Sequence, residues 1–65
     1  MIRVNDEPAD HSYGMTVATL LRDRGYATAM VAVWMDDEIV PRVAYETTVV
    51  RDGADIKIVL MAAGG

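Results

Sequence analysis

The chain has 65 residues, enough for one small domain, and it contains no cysteine and one histidine, so disulfide bonds and the usual zinc sites are excluded. Ten acidic and six basic residues give a formal charge of −4, which disfavours nucleic acids and anionic membranes as partners because no basic patch is available to meet phosphates. Hydrophobic residues make up 52% of the chain, but no apolar run approaches the roughly 18 residues of a membrane span, so we expect a cytoplasmic protein with an aliphatic core.

The N-terminal part of the sequence predicts a β-hairpin followed by a helix. Residues 1–5 alternate between apolar and polar, and turn-forming residues then lead into a predicted return strand over 9–13, at the edge of the sheet. His11 is expected there as a solvated residue and not as a catalyst. Thr16 is a suitable N-cap for an amphipathic helix that Gly25 should end. Because this helix is too short to be stable alone, it must pack on the sheet.

The second half of the sequence predicts the remaining strands. Residues 30–35 are apolar on both faces, which indicates a strand with a core side and a second side that is also largely shielded from water. The acidic run 36–38 is interpreted as a solvated turn and not a metal site, because it has no histidine partner. Pro41 keeps the short extended segment before it out of the sheet centre. The last strand covers 54–61, with the apolar residues at 56, 58 and 60 on its buried side.

This element order, ββαβ(β)β, predicts an α+β fold. The last strand is apolar on both faces and therefore unsuited to a sheet edge, so we place it in the sheet centre, parallel to the first strand. The result is the β-grasp arrangement of ubiquitin-like domains: a mixed sheet of four to five strands with one main helix on one face. We assign this domain to residues 1–61 and a flexible Gly-Gly tail to residues 62–65.

The predicted tail is Ala62-Ala63-Gly64-Gly65, in which no side chain exceeds a methyl group. One interpretation is a frayed terminus without function. The other is a carboxylate on residues narrow enough to enter the active site of another protein, for which glycine also gives the necessary backbone freedom.

Three segments carry a resemblance to a known family. They are the helix start Thr16-Val17-Ala18-Thr19-Leu20-Leu21, the segment from Val31 to Arg42 with its Ile39-Val40-Pro41-Arg42, and Asp52-Gly53-Ala54-Asp55-Ile56 before the last strand and the terminal Gly-Gly. In order and spacing they resemble the ThiS branch of the ThiS/MoaD sulfur-carrier proteins over nearly the whole chain. The sequence departs from that pattern at Asp36-Asp37, where Asn-Gly is expected, at Tyr45, where tryptophan is common, and at Ala63, where a third glycine is common.

The resemblance implies a carrier protein and not an enzyme. A ThiF-like partner would adenylate the Gly65 carboxylate with ATP, and a sulfur source fed by a cysteine desulfurase would convert it to a thiocarboxylate. A ThiG-like thiazole synthase would then take the sulfur for the thiazole ring of thiamin. Gly64, Ala63 and Ala62 would thread the tail into these partners. The carrier itself would bind no cofactor and no metal.

The resemblance leaves the docking surface to be inferred from the strands. We expect it on the second face of the sheet, with contributions from Trp34, Val59 and Met61 and a contact from Arg42; the alternative for Trp34 is a place in the core. An exposed apolar patch on a small domain marks interaction sites, and acidic residues at its rim would favour a basic partner.

Three other functions remain open from the sequence. They are a sulfur carrier for molybdopterin or another sulfur metabolite, a ubiquitin-like protein modifier joined to lysines through Gly65, and a β-grasp interaction module with an idle tail.

Overall fold

A computed structural model describes residues 1–61, which form one five-stranded mixed sheet covered on one face by one α-helix. The elements are β1 (Ile2–Val4), β2 (Glu7–Ala9), α1 (Val17–Asp23), β3 (Val31–Met35), β4 (Glu38–Val40) and β5 (Asp55–Leu60), with short 3-10 helices at Thr28–Met30 and Arg42–Ala44. The strand order is β2-β1-β5-β3-β4. The predicted β-grasp fold is therefore confirmed, including the central position of the last strand.

The β1–β2 hairpin differs from the prediction in its return strand. Asn5 and Asp6 both have positive φ values, 51° and 69°, and form a two-residue turn that pairs Val4 with Glu7. The predicted return strand over 9–13 is wrong, because so tight a turn brings the chain back at once and β2 ends at Ala9. As predicted, this strand lies at the edge of the sheet.

The helix begins and ends where the sequence predicts. Thr16 and Thr19 form a capping box: the Thr19 N–H donates to Thr16 Oγ1 at 3.3 Å, and the Thr16 N–H donates to Thr19 Oγ1 at 2.8 Å. Gly25, with φ of 79°, follows the C-cap in the left-handed region that glycine tolerates best. Within residues 1–61, no helix is long and apolar enough to cross a bilayer.

The core lies between α1 and the sheet. Its fully buried large side chains come from the helix, from three strands and from the segment before β5; they are Ile2, Val17, Leu21, Val33, Val50 and Ile56. Tyr45 is also buried, and its hydroxyl donates to the Val31 carbonyl at 3.3 Å. The prediction that Leu60 lies on the buried side is wrong, since its exposed fraction is 67%. β1 ends at Val4, which pairs with Ile56, so no part of β1 lies beside Leu60.

Candidate functional site

The four residues of the predicted tail, Ala62, Ala63, Gly64 and Gly65, lie outside the described residues. The structure does describe the root from which they continue. Met61 follows β5 directly, and its N–H donates to the Met30 carbonyl at 2.9 Å, which extends the β3–β5 ladder by one residue. The side chains of Met30, Leu60 and Met61 are exposed there. The root of the tail is thus held on one side by backbone pairing and surrounded by exposed apolar groups.

β5 is a firm support for this root because it is hydrogen-bonded on both sides. It pairs in parallel with β1, Val4 beside Ile56, and antiparallel with β3 from Met35 to Val31. Where β1 ends, the carboxamide of Asn5 continues the ladder. Asn5 Nδ2 donates to the Ile58 carbonyl at 3.2 Å, and the Ile58 N–H donates to Asn5 Oδ1 at 2.8 Å. Hydrogen bonds therefore hold β5 on both sides as far as Ile58, three residues before Met61.

The sheet face opposite α1 has exposed side chains on β1, β2, β4 and β5, and we call it the open face. Its side chains follow from strand alternation and register: Arg3 and Pro8 on β1 and β2, Asp55, Lys57 and Val59 on β5, Ala32 and Trp34 on β3, and Ile39 on β4. Met61 continues the β5 series beyond the strand. The open face joins the root of the tail directly.

The β3 and β4 side of the open face, together with its end nearest the tail, is apolar. Trp34 is partly buried, while Val59 is 49% and Met61 46% exposed, so the structure brings these three sequence-predicted residues onto one side of the sheet. Ile39 lies directly opposite Trp34 and is 62% exposed. The sequence reasoning missed Ile39, although a two-residue turn at 36–37 would have paired residue 34 with residue 39.

The β1 side of the open face, as far as Lys57 on β5, carries charge. Arg3 and Asp55 are neighbours in the parallel β1–β5 register, and Lys57 lies opposite Trp34 in the β3–β5 register. Asp55 has one buried carboxylate oxygen, Oδ1, without a hydrogen bond to a described residue. The sequence reasoning missed Lys57 because a single lysine in an alternating strand gives no signal of its own.

Arg42 is placed away from these residues. It lies in the 3-10 helix after β4 and lines a depression on the helix side of the molecule together with Arg22, Val43 and Glu46. Arg22 and Glu46 form an exposed ion pair there, with 3.9 Å between Nη2 and Oε1. The structure therefore does not bring Arg42 together with Trp34, Val59 and Met61.

His11 is not the freely solvated residue that was predicted. Its Nε2 lies 2.8 Å from the Val50 carbonyl oxygen, and the residue is partly buried. The shorter β2 explains the difference, because the chain leaves the sheet edge after Ala9 and His11 packs against the segment before β5. This contact gives His11 a role in joining two loops.

The acidic run 36–38 forms the β3–β4 turn, with Asp36 and Asp37 at φ values of 51° and 68°. Asp36 is more than a solvated carboxylate: it accepts from Arg51 Nη2 at 2.9 Å and from the Asp55 N–H at 3.0 Å. No group of three potential metal ligands occurs in the part of the chain that the structure describes.

Comparison with known proteins gives one family match. The sequence model of the ThiS family matches residues 2–65. A curated relative, a thiazole synthase of Paramagnetospirillum magneticum, is 39% identical over 62 residues, which is 95% of this chain. This chain spans only 19% of the length of that relative.

Solved structures give the same result. The crystal structure of a thiamine biosynthesis protein (ThiS) from Geobacter metallireducens superposes with a TM-score of 0.81 at 25% identity, over 98% of this chain and 97% of that one. A solution structure of a thiamine biosynthesis protein from the same organism gives a TM-score of 0.78 at 30% identity, over 98% and 86% of the two chains.

Proposed function

The chain belongs to the ThiS family, and from this premise we propose that it is a sulfur carrier protein of thiamin biosynthesis whose reactive group is the Gly65 carboxylate. The observation that carries the proposal is the family match over residues 2–65, which includes both the folded domain and the Gly64-Gly65 end. The geometry of β5 supports it, because a strand fixed on both sides leads directly into the tail.

The proposed chemistry takes place on the tail. A carboxylate is a poor acyl donor, so a ThiF-like enzyme first joins the Gly65 carboxylate to AMP, and pyrophosphate leaves from ATP. A persulfide sulfur, supplied through a cysteine desulfurase, then attacks the carbonyl carbon and displaces AMP. A thiol reduces the resulting acyl disulfide by cleaving its S–S bond, which leaves the thiocarboxylate on Gly65.

Each tail residue has a simple task in this scheme. Gly65 carries the reacting group, while Gly64, Ala63 and Ala62 give a narrow approach. Four extended residues reach about 13 to 14 Å, so the carboxylate can enter an active site while the domain stays outside it. The partners supply ATP binding and catalysis, and the carrier is a co-substrate.

The open face is the proposed docking surface. Trp34, Val59 and Met61 form its apolar part beside the root of the tail, and apolar patches of this kind mark interaction sites on small domains. The thiazole synthase relative contains a segment similar to this chain, which supports a thiazole synthase as the acceptor of the sulfur. Arg42, on the helix side, lies outside this surface. We propose that the carrier acts in the cytoplasm.

Intact mass spectrometry tests the proposal. The purified protein, incubated with ATP, a ThiF-like enzyme and a sulfur source, should gain the mass difference between sulfur and oxygen, located on Gly65 by fragmentation. A variant lacking Gly65 and one with an alanine added after Gly65 should gain nothing. Val43→Ala serves as the control, because Val43 is exposed and lies on the helix side. This variant should react as the wild type does.

Other outcomes would reassign the function. Conjugates of higher mass on lysines of other proteins would indicate a ubiquitin-like modifier. A thiocarboxylate that a thiazole synthase does not consume, but a molybdopterin synthase does, would indicate a different pathway. No modification of the wild-type protein would contradict the sulfur-carrier proposal, which also requires Gly65 to be the last residue of the mature chain.

A further inference from the structure

We propose that Lys57 is the charge that selects the partner of the open face, and that this partner is a thiazole synthase surface that is apolar around one carboxylate. The inference rests on the proposed function. It also reverses the expectation from net charge, which favoured a basic partner.

The charges of this protein are unevenly distributed between the open face and the rest of the molecule. The open face carries two cations, Arg3 and Lys57, and the carboxylate of Asp55, and Asp6 in the β1–β2 turn brings a second carboxylate to within 3.9 Å of Arg3, so the formal charge of this face is zero. The remaining four cations and eight carboxylates give −4. The acidity of the chain therefore does not describe the surface that is proposed to dock.

Of the two cations on the open face, Lys57 is the one without an ion pair to a described residue. Arg3 has Asp6 at 3.9 Å, whereas Lys57 makes no ion pair with any residue from 1 to 61. The side chain is exposed, and Asp55, the carboxylate two residues away on the same side of β5, has an oxygen buried away from solvent. The ammonium of Lys57 thus presents its charge outwards.

The surroundings of Lys57 make its charge selective. Trp34 lies directly opposite on β3, with about 5 Å expected between Cβ atoms of such a pair, and Val59 is two residues along on the same face. A partner that covers this apolar patch also removes water from the ammonium. Burying a cation without an opposite charge is costly, so a surface with a carboxylate at this point binds and a surface without one is rejected.

The position of Lys57 relative to the tail favours a partner that also receives Gly65. The open face continues through Val59 to Met61, where the tail begins. A protein seated on Trp34 and Lys57 can therefore accept the tail without reaching around the domain. The thiazole synthase of the proposed function meets this requirement.

Titration calorimetry with the thiazole synthase of the same organism tests the inference. Lys57→Glu reverses the charge, Lys57→Met removes it while keeping the length, and Arg24→Glu makes the same change of net charge on the helix side. We expect Lys57→Met to raise Kd about tenfold and Lys57→Glu about a hundredfold. Arg24→Glu should change Kd by less than about threefold, because it lies outside the interface.

Added salt gives a second measurement. The affinity of the wild type should fall as salt rises, and that of Lys57→Met should fall less. The inference would be overturned if Lys57→Glu bound as tightly as the wild type, if Lys57→Met bound more tightly, or if Arg24→Glu weakened binding as much as Lys57→Glu. Circular dichroism of each variant establishes that it is folded.

The mass measurement separates this inference from the proposed function. If the wild type gains sulfur but Lys57→Glu retains its affinity for the synthase, the role of Lys57 is wrong and the carrier function stands. If the wild type gains no sulfur, the carrier function fails whatever the affinities. Two results would overturn the choice of a thiazole synthase as the partner of the open face. One is a wild type that does not bind the synthase, and the other is a Lys57→Glu variant that is impaired only in its reaction with the ThiF-like enzyme.

Discussion

The carboxamide of Asn5 takes the place of a peptide group at the point where β1 ends. A carboxamide has one donor and one acceptor side, as a peptide group has, and here it satisfies both the N–H and the C=O of Ile58. Asparagine also tolerates the positive φ of this turn position better than most residues. One side chain therefore forms the turn and secures the strand that carries the tail.

Asn5→Gly should destabilise the protein by about 1 to 2 kcal/mol, because it keeps the backbone angle but leaves two partly buried groups of Ile58 without their partner. Urea unfolding followed by the fluorescence of Trp34, the one tryptophan, measures this. Asp6→Gly is the matched control: it lies in the same turn at φ 69° and loses only an exposed ion pair of 3.9 Å. It should change the free energy of unfolding by less than about 0.5 kcal/mol. Equal effects of the two variants would refute this role of the carboxamide.

At the scale of elements, α1 depends on its cap and on the sheet. Seven residues make two turns, which is too short for a stable isolated helix. Its buried face is made by Val17, Ala18, Leu20 and Leu21. The capping box satisfies N–H groups that have no partner within the helix. The predicted helix agreed with the structure because its signals are local: the cap residue Thr16 and the apolar residues of the buried face all lie within six consecutive residues.

Thr16→Ala should lower the free energy of unfolding by about 1 kcal/mol, because the Thr19 N–H loses its acceptor. Thr28→Ala is a suitable control, since Thr28 is exposed and lies inside a 3-10 helix whose N-cap is Ala27. Thermal and urea unfolding of both variants give the comparison. A Thr16→Ala variant as stable as the wild type would show that the sheet alone holds the helix in place.

At the scale of the whole molecule, the chain start is tied to the turn that precedes β5. The Met1 ammonium forms an ion pair with Asp52, and the Gly53 N–H donates to the Met1 carbonyl at 3.0 Å. The hydrogen bond from the ammonium, and then its charge, lower the pKa of Asp52 below its ordinary value of 3.8. These contacts hold the beginnings of β1 and β5 side by side.

This ion pair predicts a pH dependence of stability. Because the pKa of Asp52 is lower in the folded state, its contribution is fully present above pH 3.8 and is lost as the pH falls below that value towards the folded pKa. The Tm of the wild type should therefore exceed that of Asp52→Asn at pH 6, and the difference should shrink below pH 3.8. Acetylation of the Met1 amine removes the two largest causes of the lowered pKa of Asp52 and should therefore reduce the difference. A gap that widens on acidification would contradict this assignment.

The sequence by itself determined those features that depend on near neighbours. The helix and its cap, the turn in the acidic run 36–38, and the central, parallel last strand all follow from local chemistry and from apolar patterning, and the motifs around Thr16, Pro41 and Gly53 led to the family. The assignment of Gly65 as the reactive residue comes from the same motifs and stays a prediction.

Only the tertiary structure decided features that depend on register between distant segments. The length of β2 was set by the tightness of the turn at Asn5, and the exposure of Leu60 by the point at which β1 turns away. The placement of Ile39 and Lys57 on either side of Trp34, and of Arg42 on the helix side, depends on which strands become neighbours. Apolar patterning placed the last strand in the sheet centre, but a sequence pattern does not record the register in which strands pair. The charge of a sheet face depends on that register, because the face collects side chains from several strands.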